Sequence, residues 1–228
     1  MKTIKVLNLY ACLGGNRYKW DEVAEQANLK LEVTAVELDE ELAKLYQERF
    51  PNDTVIVADA HQYLLDYYKE FNFIWSSPPC PTHSRMRKTN TGEGERKSKA
   101  TYPDMKLYQE ILLLDHFFKG KYCVENVIPF YEPLISAKKR GRHLYWANFN
   151  LPTDLGERKV KGGLLTNDIN SLCDFHQIDL SNYKGKQRKD KIARNLVDYE
   201  AGRTILETYL GIERKKNVNQ VNIFDLGA

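Results

Sequence analysis

The stretch KVLNLYACLGG, residues 5–15, is a mostly apolar run that ends at two glycines. A short apolar run of this kind predicts a strand buried on both faces of a sheet. Gly14 and Gly15 then permit a tight turn from the strand toward a helix. The further runs with strand character are 32–38, 53–59, 71–77, 121–127 and 142–149. Helical patterns lie at 39–50 and at 102–118, where Met105, Tyr108, Ile111 and Leu112 are expected to share the buried face. The alternation predicts an α/β fold with a doubly wound, mostly parallel sheet.

The composition is that of an ordinary globular chain. It has 228 residues, 42% apolar and 29% charged, which suits one sizeable domain with a small insert. No apolar run approaches the roughly 20 residues that span a bilayer, so no membrane partner is expected. The first residues lack the long apolar region of a signal peptide, and a cytoplasmic location is expected. Cys173 and His176 form only half of a zinc motif, so no metal site is expected.

Acidic residues follow two successive predicted strands. Ligands of such sheets bind at the carboxyl ends of the strands. Glu37 ends the second strand, where an acid commonly binds ribose hydroxyls, and Asp59 ends the third, where it could accept a hydrogen bond from an adenine amino group. Each could instead be an ordinary loop carboxylate that caps a helix. Their order favours a nucleoside cofactor, and the chain has no GxGxxG or GxxxxGK[ST] loop for a dinucleotide or a nucleoside triphosphate.

The next two strand ends carry a cysteine and a second acid. The run FNFIWSS continues into PPCP with Cys80, and the following strand ends in CVENV with Glu125. Cys80 is either a small buried hydrophobe or a nucleophile held by a stiff proline turn.

These segments together resemble the cytosine-5 DNA methyltransferases. NLYACLGG (8–15) is similar to the family's cofactor loop DLFAGxGG, and the Pro-Pro-Cys and Glu-Asn-Val motifs occur in the family's order. KKRGRHLYW (138–146) resembles the QxRxR segment, and KIARNLVDYEAGRTIL (191–206) resembles the closing segment. The resemblance covers residues 4 to 146 and 190 to 210. Cys12 stands where the family usually has glycine, and Pro81 follows the cysteine where glutamine is common.

The resemblance implies a small, phage-like enzyme with the fold of S-adenosylmethionine-dependent methyltransferases. Cys80 would add to C6 of a cytosine flipped out of double-stranded DNA, and Glu125 would hold the N3 and N4 edge of the base. Arg140 and Arg142 would provide a positive field around the thiolate.

The remaining site residues are implied in the same way. In the basic segment 82–103, the residues expected to contact DNA are Arg85, Arg87 and Lys88. The residues expected to bind S-adenosylmethionine are Tyr10, Ala11, Cys12, Leu13, Gly14, Gly15, Glu37, Leu38, Asp59, Ala60, Pro78, Asn195 and Val197.

The chain lacks the long target-recognition region of the family. Residues 1–149 and 190–212 are expected to form the catalytic domain, 150–189 a reduced recognition insert that reads a short target, and 213–228 a flexible tail. In the tail, Gln220, Ile223 and Phe224 match the short Qxx[LI]F pattern by which bacterial and phage replication proteins bind the sliding clamp. The alternative is a final strand or an apolar plug packed on the body.

Three other functions remain open from the sequence. The chain could be an RNA-directed cytosine-5 methyltransferase, or an enzyme that modifies cytosine with another electrophile, and the motifs at Cys80 and Glu125 do not separate these from a DNA methyltransferase. It could also be a non-catalytic protein that binds DNA or the clamp, but the intact Pro-Pro-Cys and Glu-Asn-Val motifs disfavour this function.

Overall fold

A seven-stranded sheet organises the protein, and the computed structural model describes residues 1–85, 101–159 and 168–212. The strands are β1 Lys2–Leu9, β2 Leu29–Glu37, β3 Thr54–Val57, β4 Phe73–Ser76, β5 Lys121–Val127, β6 Lys138–Arg140 and β7 His143–Ala147. Strands β1 to β5 are parallel, β7 is antiparallel to β5, and β6 is antiparallel to β7, in the order β3-β2-β1-β4-β5-β7-β6. All six predicted strands are present, and the doubly wound, mostly parallel sheet is confirmed; only the short β6 was not predicted.

Helices cover both faces of this sheet. The helices are α1 Trp20–Gln26, α2 Glu40–Arg49, α3 Ala60–Tyr67, α4 Lys106–Phe117, α5 Ile169–His176, α6 Lys189–Arg194 and α7 Tyr199–Leu210, with a short 3-10 turn at Tyr68–Glu70. Alternate residues of β1 explain the two layers, because Ile4 and Val6 pack with α1 and α7, whereas Leu7 and Leu9 pack with α3 and α4.

The buried face of α4 differs from the predicted one. Met105 and Leu112 are 46% and 49% exposed, so their assignment to the core was wrong. The side chains that contact the sheet are Leu107, Tyr108, Glu110, Ile111 and Leu114. The face is rotated because it accommodates Glu110, a fully buried carboxylate that an apolar periodicity does not reveal.

The described part of the segment that follows β7, residues 148–159, packs on the rest of the domain. Leu151 and Leu155 pack in the core beside β1 and α7. Arg158 donates to the Asp198 carboxylate at 2.8 Å, and its guanidinium lies 3.6 Å from the centre of the Tyr199 ring. These contacts do not test the expected division into a catalytic domain and a recognition insert, which stays a prediction.

Some sequence predictions fall outside the described residues. They concern Arg87, Lys88 and the tail residues Gln220, Ile223 and Phe224. Within the described ranges, no helix has the length and apolar character needed to cross a membrane.

Candidate active site

The carboxyl ends of the parallel strands open into a cleft of about 650 Å³. This volume is in the range of small-molecule sites, roughly 300–1,000 Å³. The walls are formed by the loop after β1, by the residues that follow β2 to β5, and by α6 with the residues after it. The predicted site residues that line the cleft are Cys80 and Glu125 together with Tyr10, Ala11, Cys12, Gly15, Glu37, Leu38, Asp59, Ala60, Pro78, Asn195 and Val197.

The loop after β1 turns sharply. Tyr10 and Cys12 have left-handed backbone angles, with φ of 56° and 48°. A Cβ atom on Gly15 would lie 2.5 Å from the carbonyl oxygen of Val197, so glycine allows the loop to contact the closing segment. Leu13 and Gly14 do not line the cleft, because both lie on the buried side of the loop, where Gly14 packs against the rings of α2 and its cap.

Glu37 ties this loop to the end of β2. Its carboxylate accepts the backbone N–H of Cys12 at 2.8 Å and that of Asp39 at 3.0 Å. Burial raises the pKa of Glu37, although these N–H groups oppose the change. The neighbouring Leu38 leaves 68% of its surface exposed on the cleft wall.

Asp59 provides the second carboxylate of this wall. It caps α3 by accepting the Gln62 N–H at 3.1 Å, and Lys106 Nζ lies 3.4 Å from its other oxygen. The Gln62 N–H lowers the pKa of Asp59, so the group remains a hydrogen-bond acceptor. Acceptors near an exposed apolar side chain fit an adenosine, which carries hydroxyl and amino donors around a flat ring.

A buried carboxylate missed by the sequence reasoning holds Tyr10. The Tyr10 hydroxyl donates to Glu110 at 2.5 Å, and the Ser76 hydroxyl donates to the other oxygen at 2.7 Å. His61 Nδ1 lies 3.0 Å from the same group. An acid inside the apolar pattern of α4 was the available signal, since a buried charge needs several polar partners.

Cys80 lies on the turn after β4. Asn126 donates to the Pro78 carbonyl at 2.9 Å, which fixes the turn to β5. Burial and the Glu125 carboxylate raise the pKa of the Cys80 thiol, whereas Lys191 on α6 lowers it. The thiol is therefore protonated at neutral pH in this arrangement, and Lys191 is a cation that acts on it.

The three described arginines of the predicted site do not line the cleft. Arg140 donates to the carbonyl oxygens of Leu151 at 3.1 Å and of Pro152, because β6 lies at the edge of the sheet. Arg142 is exposed in the turn before β7, and Arg85 donates to the Pro129 carbonyl at 3.0 Å. The expectation that Arg140 and Arg142 surround Cys80 is thus corrected.

Several cleft residues were not predicted. They are Lys106, His143, Gln187, Lys191 and Arg194, among others. Lys191 and Arg194 belong to the segment KIAR that resembles the closing motif, and this position was the signal that could have identified them. Within the described ranges no cluster of His, Cys, Asp and Glu side chains could hold a metal ion.

The solved structures that resemble this chain include methyltransferases. The Entamoeba histolytica methyltransferase EhMeth has a TM-score of 0.52 and 11% identity, over 94% of this chain and 100% of that protein. A mutant of Spodoptera frugiperda DNMT2 has a TM-score of 0.41 and 19% identity, over 65% of this chain and 52% of that protein. The chain thus spans about half the length of the insect protein. The fold is that of S-adenosylmethionine-dependent methyltransferases.

The comparison of sequences gives the family. No curated protein matches the chain. The family model described as C-5 cytosine-specific DNA methylase matches residues 4–124, which is more than half of the chain and includes the Cys80 turn. The chain therefore belongs to the C-5 cytosine-specific DNA methylase family.

Proposed function

We propose that the protein transfers a methyl group from S-adenosylmethionine to C5 of a cytosine in double-stranded DNA, through a covalent bond between Cys80 and C6. One observation carries the proposal: Cys80 follows β4, Glu125 lies near the carboxyl end of the neighbouring β5, and both line the same cleft as Glu37 and Asp59. A nucleophile and a carboxyl group beside an adenosine-type surface suit this reaction.

The residues of the chain have distinct tasks in this proposal. The Cys80 thiolate forms a bond to C6, and the electron pair of the C5–C6 double bond moves toward N3, where Glu125 donates a proton. This makes C5 nucleophilic. After transfer, solvent water accepts the C5 proton, cleavage of the C6–S bond returns the thiolate, and N3 gives its proton back to Glu125, which restores the aromatic ring. When bound, S-adenosylmethionine supplies the electrophilic methyl group, and the residues that would hold it are Tyr10, Ala11, Cys12, Gly15, Glu37, Leu38, Asp59, Ala60, Pro78, Asn195 and Val197.

Cys80 must lose its proton during the cycle. Its pKa is raised by burial and by Glu125, so the resting thiol is poorly reactive. Protonation of Glu125 would remove a carboxylate charge that raises the pKa of the thiol, and Lys191, which lowers that pKa, would remain. We therefore propose that the Cys80 thiol loses its proton and the Glu125 carboxylate gains one as the base enters the cleft.

The substrate is proposed to be duplex DNA with its target base flipped out, because the C6 atom is covered in a base stack. Arg85 on the Cys80 turn, with Arg87 and Lys88, is proposed to bind phosphates. The protein would act in the cytoplasm of a bacterial or phage-infected cell, where its four cysteines would stay reduced.

A sliding clamp is proposed as the partner of the tail. The Qxx[LI]F match at Gln220, Ile223 and Phe224 supports this proposal, since a glutamine anchor and two apolar side chains suit a surface pocket. Clamp binding would raise the local concentration of DNA for an enzyme with a small recognition insert. A pull-down with purified clamp checks it: Phe224→Ala should abolish retention, and equal retention of both proteins would refute it.

The catalytic proposal is tested with a methyl-labelled donor and three substrates. Duplex DNA, single-stranded DNA and tRNA are incubated with the wild type, with Cys80→Ser and with Cys173→Ser, a matched control outside the cleft. We expect 5-methylcytosine in duplex DNA, lost in Cys80→Ser and retained in Cys173→Ser. Transfer by Cys80→Ser at the wild-type rate would refute the covalent mechanism.

Other products would favour the alternatives. Label in tRNA alone would indicate an RNA-directed enzyme, and mass spectrometry of the product nucleoside would detect a group other than methyl. Absence of transfer in every case would favour a binding protein. Bisulfite sequencing of DNA from cells that express the protein would give the target sequence.

A further inference from the structure

His143, the first residue of β7, has no task in the proposed reaction, yet it lines the cleft. Its Nε2 atom lies 3.6 Å from Glu125 Oε1, and its Nδ1 atom lies 3.5 Å from Glu157 Oε1. The side chains of His143 and Glu125 are 14% and 8% exposed. The imidazole therefore lies between two carboxylates, one of which is the proposed proton donor.

The strand register creates this contact. Glu125 of β5 is opposite Tyr145 of β7, so His143 is the diagonal neighbour of Glu125 on the same face of the sheet. The preceding turn also contributes, since Gly141 has a φ of 51° and a Cβ atom there would collide with the Glu157 carboxylate. The backbone thus reserves space for Glu157 beside the imidazole.

The charges around His143 favour its protonated form. Glu125 faces it from β5, Glu157 faces it from the segment after β7, and the Tyr145 hydroxyl donates to Glu157 at 3.3 Å. Burial lowers the pKa of His143 and Arg142 acts in the same direction, but the two carboxylates outweigh both, so the pKa lies above its usual value.

In a purely structural ion pair, we would expect the charged atoms to lie within hydrogen-bond distance of each other. The 3.6 Å separation from Glu125 is too long for a hydrogen bond. His143 is nevertheless the ion-pair partner of the Glu125 side chain. Because this contact is longer than a hydrogen bond, the buried carboxyl group can still bind a ligand. Catalytic hydrogen bonds are often long before the substrate binds.

We propose that His143, oriented by Glu157, is a positioning residue for Glu125, keeping its carboxyl aimed into the cleft and sharing the Nε2 proton with it when Glu125 protonates N3 of the cytosine. The proton returns to Nε2 when N3 gives its own back to Glu125, so the pair is unchanged after one turnover. This inference rests on the proposed function for the identity of the base, but the coupling of His143 to Glu125 is measurable without it.

The first test measures the coupling directly. NMR titration of the His143 imidazole is compared in the wild type, Glu125→Gln, Glu157→Gln and Glu132→Gln, an exposed control. Loss of either neighbouring carboxylate should lower the pKa of His143, because each favours the protonated imidazole, and the control should leave it unchanged. A His143 pKa that is unaffected by Glu125→Gln would overturn the inference, whatever the methyl transfer activity.

The second test asks whether His143 acts through Glu125. His143→Gln should lower kcat for methyl transfer about 100-fold, with little change in KM for the donor and in the melting temperature. In the Glu125→Gln background the same substitution should lower kcat less than about 2-fold, because coupled residues are non-additive. Equal losses in both backgrounds would overturn the inference.

A third readout separates the two proposals. Glu157→Gln leaves His143 in place and should lower kcat in the same direction, which guards against a folding defect of His143→Gln. If the wild type transfers no methyl group to DNA or RNA, the proposed function fails, and the titration still decides whether His143 and Glu125 are coupled.

Discussion

His176 makes the protein sensitive to acid in a way that can be calculated. This residue ends α5, is 2% exposed, and has no hydrogen-bond partner for either ring nitrogen within the described ranges. Burial lowers the pKa of His176 to about 4, and the nearby Arg158 and Arg49 act in the same direction, against Asp198. The folded protein therefore keeps the imidazole neutral, whereas the unfolded chain protonates it near pH 6.5.

The sign and the size of the effect follow from this difference. Because the unfolded state binds the proton first, the stabilisation from neutral His176 is complete above about pH 6.5 and is lost as the pH falls toward 4. A pKa difference of about 2.5 at about 1.36 kcal/mol each gives about 3 kcal/mol. This is a large part of the roughly 5–15 kcal/mol that stabilises a domain.

Urea unfolding at pH 7 and pH 4 measures the effect. His176→Leu, which stays neutral at both values, should lose about 3 kcal/mol less between them than the wild type does. His116→Gln, an exposed substitution on α4, should behave like the wild type. The same pH dependence in His176→Leu and the wild type would refute the reasoning.

Two further substitutions address the cleft. Lys191→Ala should slow the alkylation of Cys80 by iodoacetamide at pH 8, because Lys191 lowers the pKa of the thiol. Peptide mass spectrometry measures the rate, and the control Lys44→Ala, an exposed substitution on α2, should leave it unchanged. Gly15→Ala should destabilise the fold by about 1–3 kcal/mol and weaken donor binding, because its Cβ atom would collide with the Val197 carbonyl; unchanged calorimetric unfolding and donor affinity would contradict this prediction.

The sequence predicted the sheet well because buried parallel strands leave continuous apolar runs, and the chain direction then brings their carboxyl ends to one edge. This logic brought Cys80, Glu125 and Glu37 to one cleft. It failed for KKRGRHLYW, because the hairpin turn at 141–142 decides which side chains face the cleft. A spacing of alternate residues does not reveal where a turn interrupts the alternation. Arg140 and Arg142 were therefore expected near Cys80, whereas His143 is the residue of this segment that lines the cleft.

Side chains that depend on tertiary packing were also beyond the sequence. Glu110 lies in α4, and its partners Tyr10 and Ser76 come from the loop after β1 and from β4. Leu13 and Gly15 are two positions apart in one motif, yet only Gly15 lines the cleft. Whether each of these residues faces the cleft or the core depends on which helix packs on the loop. The local sequence does not specify that packing.

The contact between Gly15 and Val197 has a consequence for biosynthesis. These two positions lie far apart along the chain, and the wall of the cleft is complete only when both are present. During translation the loop after β1 emerges long before the segment that closes over it. A ribosome-bound chain that ends before residue 190 therefore lacks the closing wall, and we expect donor binding only after the last described helix has been synthesised.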